Sequence, residues 1–188
     1  MGGILHVCTA NQIRSPIAER LMVAGLWRRF GPVADSVYVT SGGMRAVAGM
    51  PMQPLAAAEL ERRGVPADDF VSRPLDLKAA ERAHLVLTAT REHRDEIVGL
   101  MPAALHRTFT WRELAWLVRG MDPGKLPGRF PIERVANLAR VARHRRGYLK
   151  PPAGELFDVA DPIGGAKQEY RTAATEIEEA IEAILDAL

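Results

Sequence analysis

The stretch HVCTANQIRSPIAERL, residues 6–21, decides how the start of this chain folds. Its first residues close a short apolar run, ILHVC at residues 4–8, which is typical of a buried β-strand. Ser15 and Pro16 then suit the first turn of a helix, and apolar residues recur after them at helical spacing. A strand, a polar loop and a helix in this order predict the opening unit of a parallel α/β sheet.

Strands and helices continue to alternate along the rest of the chain. The pattern predicts strands over residues 36–41, 84–90 and 107–110, and helices over residues 53–63, 91–101 and 167–187. A loop rich in Pro and Gly is predicted over residues 120–131, followed by a basic helix that ends at Gly147. The expected fold class is α/β, a three-layer, four-stranded parallel sheet with helices on both faces. We expect one domain over residues 1–188, with an extended helical and loop segment at about 112–150.

Composition argues against several classes of function. The chain has 188 residues, enough for one sizeable core, and its 25 basic and 23 acidic side chains do not favour nucleic-acid binding. Cys8 is the only cysteine, so no internal disulfide forms and a reducing, cytoplasmic compartment is expected. No apolar run reaches the ~20 residues that a transmembrane helix needs, so no membrane partner is expected. The histidines show no metal-ligand spacing, and neither a metal nor another cofactor is expected.

Cys8 is the candidate nucleophile. It stands at the carboxyl end of the first predicted strand, the edge at which open α/β sheets bind ligands. The helix that follows presents backbone N–H groups to an anion, and Arg14 offers a planar fork that suits two phosphate oxygens. Ser15 could donate a hydrogen bond to the thiolate, and Asn11 tolerates positive φ in a tight loop. A buried, unreactive cysteine is the alternative interpretation, but the strand before the loop and the helix start after it favour the nucleophile.

The loop resembles that of the low-molecular-weight protein tyrosine phosphatase family, which runs Cys-x-Gly-Asn-x-Cys-Arg-Ser-Pro straight after its first strand. This chain has Cys8-Thr9-Ala10-Asn11-Gln12-Ile13-Arg14-Ser15-Pro16. The resemblance implies the same fold, with Cys8 as the nucleophile and Arg14 and the loop backbone around the phosphate. It also implies that the remaining loop residues contact the substrate: Thr9, Ala10, Asn11, Gln12, Ile13 and Ser15. A phosphate or sulfate ion is expected to bind in this loop.

The resemblance also implies a general acid near the C-terminus, where the family has an Asp-Pro pair. Asp161, directly before Pro162, is the match, and proline restricts its neighbour to extended conformations that help to aim the carboxyl group. An ordinary turn before the last helix is the other interpretation, because two glycines follow. Asp158 matches a second acidic position of the family and is expected to support the site by orienting Asp161 or Arg14.

Thr40-Ser41-Gly42 resembles the family's Ser-Ala-Gly after the second strand. This implies that Ser41 supports the site by a hydrogen bond toward Asn11, which would stiffen the loop.

Four positions depart from the family pattern. Ala10 replaces the loop glycine, so its backbone must avoid a conformation that only glycine adopts. Ile13 replaces the second loop cysteine, so no disulfide within the loop can protect Cys8. Phe70 replaces a histidine that would be one partner of Asn11, and Ile163 replaces the aromatic residue that often follows Asp-Pro. These changes hardly affect phosphate chemistry, but they weaken the case for tyrosine.

The resemblance implies a cysteine-dependent phosphatase that acts on phosphotyrosine, or on a related phosphorylated residue, of a protein substrate through a phosphocysteine intermediate. In relatives, isoleucine after the loop asparagine accompanies tyrosine phosphatases and threonine accompanies phosphoarginine phosphatases, whereas this chain has Gln12. Two alternatives stay open. One is an arsenate reductase that uses an external small thiol, and the other is a non-catalytic module that binds phosphate or phosphopeptides.

Three other features could belong either to a site or to the scaffold. Trp111 could line a cleft, although a tryptophan at helical spacing more often packs in a core. His6 is expected in the core or at an edge of the sheet. The basic cluster, residues 140–146, is expected to form a solvated helix face rather than a binding surface.

Overall fold

A computed structural model of the protein describes residues 2–151 and 157–188. Its centre is a parallel sheet of four strands: β1 (Gly3–Cys8), β2 (Tyr38–Gly43), β3 (Leu85–Thr88) and β4 (Thr108–Thr110). The strands lie in the order β2-β1-β3-β4, and each neighbouring pair is parallel. This architecture confirms the predicted α/β class.

Helices connect and cover the strands. They are α1 (Arg14–Phe30), α2 (Pro54–Glu61), α3 (Leu77–Arg82), α4 (Arg91–Leu100), α5 (Trp111–Val118), α6 (Pro131–Arg146) and α7 (Lys167–Asp186). Short 3-10 helices span Gly31–Ser36, Pro102–Arg107 and Pro123–Lys125. None of the helices within the described ranges is both long enough and apolar enough to cross a membrane.

Alternation along the strands divides the core between the two faces of the sheet. Ile4 and Leu87 belong to a large apolar cluster with α1, α5, α6 and α7, whereas Leu5, Val7 and Val86 belong to a smaller cluster with α3 and α4. Successive strand side chains point to opposite faces, so both faces of β1 are buried. The carboxyl end of β1 therefore lies between β2 and β3, with buried side chains packed on both faces of the strand.

The sequence pattern did not predict α3, and it placed α5 only within the helical and loop segment at about 112–150, without bounds. α3 has only six residues, too few to show a helical repeat, and the Asp76 side chain caps it by accepting a hydrogen bond from Lys78 N. α5 begins directly after β4, where Thr110 and Glu113 form a capping box. The strand pattern that ends at Thr110 therefore turns at once into a helix.

The second strand was predicted two residues too early. Residues 31–36 form a 3-10 helix, and β2 begins only at Tyr38. The prediction over residues 36–41 is therefore wrong at both ends, which matters because the true end, Gly43, lies against the loop that follows β1.

Trp111 and His6 form a buried pair in the core. Neither side chain is exposed, and Trp111 Nε1 donates a hydrogen bond of 2.9 Å to His6 Nδ1. Burial lowers the pKa of His6 to about 3, so the ring is neutral at ordinary pH. Trp111 is thus a core residue and lines no cleft.

The basic cluster is only in part a solvated face. Arg146 lies 4.1 Å above the Phe109 ring and donates a hydrogen bond of 2.9 Å to Thr108 O. It also pairs with the buried Glu113 at 2.9 Å. This arginine therefore fastens the end of α6 to β4 and α5, and the prediction of a solvated face is wrong for it.

Candidate active site

The loop over residues 8–15, called the phosphate loop below, joins β1 to α1. Cys8 closes β1 and is buried, and its Sγ lies 2.9 Å from Ser15 Oγ in the first turn of α1. A hydroxyl at this distance can donate to a thiolate, and the helix N-terminus favours the negative charge. The strand and the helix thus place the sulfur and its hydrogen-bond partner together.

The carbonyl groups of the phosphate loop are held by the chain that follows β2. Cys8 O accepts from Met44 N at 2.9 Å and Thr9 O from Arg45 N at 2.8 Å, and Gln12 O accepts from Gln53 N at 2.9 Å. Among the hydrogen bonds of the described residues outside regular helices and strands, none is donated by the backbone N–H groups of residues 9–13. These N–H groups are consequently available to an anion.

Asn11 holds the loop together from inside. Its φ is 53°, in the left-handed region that asparagine tolerates. Its Nδ2 donates to Ser15 Oγ at 2.9 Å and to Ser41 Oγ at 2.8 Å, and its Oδ1 accepts from Arg73 N at 2.8 Å. The amide of Asn11 is therefore satisfied at both ends without the histidine that Phe70 replaces.

Gly43, at the end of β2, allows the close approach of the phosphate loop. A Cβ at this position would lie 2.6 Å from Thr9 O and 2.8 Å from Asn11 N. Both atoms belong to backbone, which could not move aside without disturbing the loop. Ala10, in contrast, has no positive φ, so the loop does not need a glycine there.

Arg14 brings the two ends of the chain together. Its guanidinium donates from Nη1 to Val159 O at 3.0 Å, and from Nη2 to Thr9 Oγ1 at 3.2 Å and to Asp161 Oδ2 at 2.5 Å. The Arg14 side chain is 3% exposed and the Asp161 side chain 37% exposed. The buried Arg14 guanidinium therefore points toward the more exposed side of the site, and there the Asp161 carboxylate is bound to it.

Residues 158–165, the acid loop, are anchored at one end. Val159 N donates to Ala89 O at 2.9 Å, and Asp158 Oδ1 accepts from Arg91 N at 2.7 Å while Oδ2 accepts from Arg91 Nη2 at 3.0 Å. Among the hydrogen bonds of the described residues, none joins Asp158 to Asp161 or Arg14. Asp158 instead ties the acid loop to Arg91, the first residue of α4, and its expected role in orienting Asp161 stays a prediction.

Two residues of α4 belong to the site although no motif marked them. Arg91 binds Asp158, and His93 Nε2 lies 3.0 Å from Thr9 Oγ1. Only the position of α4 in the chain could have indicated that these two residues belong to the site. The helix after β3 begins at the same sheet edge as the phosphate loop, because β3 pairs with β1 in parallel.

The residue that follows Asp161-Pro162 at the mouth of the site, Ile163, is not aromatic. Ile163 is 58% exposed, and Gln12 is half-buried in the phosphate loop. Arg45 pairs with Glu96 at 3.2 Å on the α4 side. No group of three metal-ligating side chains occurs within residues 2–151 and 157–188.

Comparisons with known proteins agree with this geometry. The family model for low molecular weight phosphotyrosine protein phosphatase matches residues 3–117. A protein-arginine-phosphatase from Geobacillus stearothermophilus is 28% identical over 185 residues, covering 98% of this chain and 95% of that protein. The low molecular weight protein-tyrosine-phosphatase Etp from Escherichia coli K12 is 30% identical over 114 residues, covering 61% of this chain and 70% of Etp.

Solved structures show the same fold. The YwlE arginine phosphatase from Geobacillus stearothermophilus superposes with a TM-score of 0.68 at 28% identity, covering 99% of this chain and 92% of that one. A low molecular weight protein tyrosine phosphatase from T. tengcongensis reaches a TM-score of 0.70 at 23% identity and covers both chains fully, at 100% each. Since the family model matches more than half of the chain, this protein belongs to the low molecular weight phosphotyrosine protein phosphatase family.

Proposed function

We propose that this protein is a cysteine-dependent phosphatase that removes the phosphoryl group from a phosphorylated protein side chain, with the whole chain acting as one catalytic domain. The observation that carries the proposal is the convergence of three groups on one sheet edge. Cys8 Sγ is within hydrogen-bond distance of Ser15 Oγ, and Arg14 beside them holds Asp161. A nucleophile, an anion receptor and an acid are the groups that metal-independent phosphoryl transfer needs.

The first step forms a phosphocysteine. The Cys8 thiolate attacks phosphorus in line with the leaving atom. A P–S bond forms as the bond from phosphorus to the side chain breaks, which is a P–O bond in phosphotyrosine and a P–N bond in phosphoarginine. Arg14 and the N–H groups of residues 9–13 stabilise the equatorial oxygens, over which negative charge is spread. Asp161, in its protonated form, donates a proton to the departing oxygen or nitrogen.

The second step regenerates the cysteine. The Asp161 carboxylate takes a proton from a water molecule as that water attacks phosphorus, and the P–S bond breaks. The sulfur leaves as a thiolate, toward which Ser15 Oγ at 2.9 Å can donate a hydrogen bond. Inorganic phosphate is released from the phosphate loop.

The ion pair between Arg14 and Asp161 describes the site before substrate binds. The carboxylate occupies one donor of the guanidinium, where it stands in for a phosphate oxygen. An incoming phosphate dianion would replace Asp161 on Arg14, and the displaced carboxylate would take up a proton from solvent as it moves next to the leaving atom. Asp161 is suited to this exchange because its side chain is partly exposed and its loop is anchored through Asp158 and Val159 instead.

Phosphotyrosine and phosphoarginine are the two substrates to compare, and three observations keep phosphoarginine beside phosphotyrosine. Two relatives named protein-arginine-phosphatase match 98% and 94% of this chain, whereas the relative named Etp matches 61%. The position after Asp-Pro, Ile163, also offers no ring to stack on a tyrosine. An aliphatic surface there accepts the stem of a phosphorylated arginine as well as a phenyl ring.

Turnover of a small substrate panel tests the proposal. Peptides containing phosphotyrosine, phosphoserine or phosphoarginine are incubated with the protein, and arsenate is supplied with glutathione in a separate assay. We expect hydrolysis of phosphotyrosine or phosphoarginine, and a loss of at least about 10⁴-fold in Cys8→Ser, because serine is a far weaker nucleophile.

Each alternative has its own outcome in that panel. Tight binding of phosphate without any turnover would support the binding module, and arsenate-dependent oxidation of glutathione without phosphate release would support the reductase. Hydrolysis that survives Cys8→Ser would remove Cys8 from the mechanism.

A further inference from the structure

His93 lies beside the phosphate loop, and no step of the proposed reaction uses it. It is the third residue of α4, and its side chain is buried. Its Nε2 lies 3.0 Å from Thr9 Oγ1, and its Nδ1 lies 2.6 Å from Thr90 Oγ1. Hydroxyl groups on both sides therefore set the orientation of the ring.

The hydroxyl of Thr9 connects His93 to Arg14. Thr9 Oγ1 accepts a hydrogen bond of 3.2 Å from Arg14 Nη2, and its own proton can be donated to His93 Nε2 in the tautomer whose Nε2 carries no hydrogen. A bare Nε2 puts the proton of the neutral ring on Nδ1, which then donates to Thr90 Oγ1. Thr90 is itself the cap of α4 and accepts from His93 N at 3.3 Å. A continuous chain of hydrogen bonds thus runs from the start of α4 to the guanidinium.

The geometry points to His93 as a positioning residue that fixes the Arg14 guanidinium for phosphate binding, acting through the Thr9 hydroxyl. This inference rests on the proposed phosphatase function, in which Arg14 receives the phosphate. When phosphate replaces Asp161, the hydrogen bonds to Val159 O and Thr9 Oγ1 continue to hold the guanidinium. The orientation of the Thr9 hydroxyl then matters most, and His93 determines it.

Burial and the positive charge of Arg14 favour the neutral form of the His93 ring. Burial, and after it the positive charge of Arg14, lower the pKa of His93 below its ordinary value. Arg45 also lowers this pKa, whereas Glu92 and Glu96 raise it. A neutral ring can accept the Thr9 proton, but a protonated ring would donate from both nitrogens and could no longer accept that proton.

Inhibition by inorganic phosphate and by vanadate, measured on the full chain, tests this role. His93→Phe and Thr9→Val should each weaken inhibition about tenfold, and the double variant should be no weaker than the worse single variant, because both changes cut one chain of hydrogen bonds. His93→Gln, whose amide can still reach Thr9, should restore most of the affinity. His106→Phe makes the same substitution on an exposed 3-10 helix and should leave inhibition unchanged.

Unchanged inhibition in His93→Phe, or a double variant whose loss is the product of the two single losses, would overturn the positioning role while wild-type turnover still upheld the phosphatase. If His93→Phe does not fold, nitrogen NMR of the His93 ring decides. We expect a ring protonated at Nδ1 whose Nε2 signal shifts in Thr9→Val, and an unshifted signal would refute the inference. A wild-type protein with neither turnover nor phosphate binding would refute the proposed function itself, and the role of His93 with it.

Discussion

The phosphate loop and the acid loop meet at Arg14, but the protein holds them in opposite ways. In the phosphate loop, Cys8, Asn11 and Ser15 are buried and bound to one another. In the acid loop, Asp158 and Val159 bind the scaffold, whereas the Asp161 carboxylate is partly exposed and rests on Arg14. The phosphate loop is thus a fixed receptor. The acid loop is held to the scaffold through Asp158 and Val159, and in the proposed reaction Asp161 exchanges its partner Arg14.

This difference suits the order of events in the proposed reaction. Donors to the phosphate must be in place before the substrate arrives, since reorganising them would cost transition-state stabilisation. Asp161 must first break its hydrogen bond with Arg14 and then reach the leaving atom. Substitutions in the phosphate loop should therefore weaken binding and chemistry together, and those in the acid loop should act on protonation of the leaving group.

Arg14→Lys should have the largest effect among substitutions that probe this difference between the loops. Lysine keeps the charge but lacks the planar fork that donates to Val159 O, Thr9 Oγ1 and Asp161 at once. We expect kcat/KM to fall on the order of 10²–10³-fold for aryl and alkyl phosphates alike, as steady-state kinetics would measure. A loss confined to alkyl phosphates would instead tie Arg14 to protonation of the leaving group.

Asp161→Asn should separate chemistry from binding. For alkyl phosphates, whose oxygen needs a proton, we expect kcat to fall on the order of 10²-fold, and for activated aryl phosphates much less. Removal of the carboxylate that competes for Arg14 should also lower the inhibition constant for inorganic phosphate. Equal kinetic losses for both classes of ester would contradict the acid role, and weaker phosphate inhibition would contradict the exchange at Arg14.

Asn11→Ala should reduce stability and activity together, with a loss of kcat/KM of about tenfold. It leaves Ser15, Ser41 and Arg73 N without their amide partner, and it forces an alanine to φ 53°. Unsatisfied buried groups cost about 1–3 kcal/mol each and the backbone strain about 1–2 kcal/mol. Urea unfolding of Asn11→Gly, which removes the strain but not the lost hydrogen bonds, separates the two costs. A glycine variant clearly less stable than the alanine variant would show that the strain is smaller than the extra chain entropy that glycine loses on folding.

Asp158→Asn should have the smallest effect. An asparagine oxygen can still accept from Arg91 N, but the ion pair with the Arg91 guanidinium is lost, and partly exposed ion pairs contribute only about 0–1 kcal/mol. We expect kcat for alkyl phosphates to fall by a few-fold, with phosphate inhibition unchanged. Glu182→Gln, which breaks ion pairs between α1 and α7 away from the site, is the matched control. An equal loss in that variant would mean that the effect of Asp158→Asn is not specific to the acid loop.

Much of the fold could be predicted because its signals are local. The buried run before Cys8 and the helical repeat after Pro16 both appear within a short window of the sequence. α3 escaped prediction, and the start of α5 was not located, for the same reason: the first has six residues, and the second follows a strand without a break. A helical repeat becomes recognisable only over several turns, so neither helix could be located from it.

The phosphate loop could also be predicted from the sequence, because its residues are contiguous and their types match the chemistry. The residues that complete the site from other segments could not be predicted. Arg91 and Asp158 are 67 residues apart, and Thr9 and His93 are 84 residues apart. These contacts depend on β1 and β3 being neighbours in register, which no local pattern reveals.

The sequence by itself determined the α/β class, the thiol of Cys8, the fork of Arg14 and an Asp-Pro pair that could supply an acid. Only the tertiary structure decided that Asp161 rests on Arg14 across 147 residues, that Asp158 fastens the acid loop to α4, and that His93 reaches Arg14 through Thr9. The physical reason is that residue type and spacing specify local conformation and chemical capability. Contacts between distant segments are specified only once parallel strands have brought their carboxyl ends to one edge of the sheet.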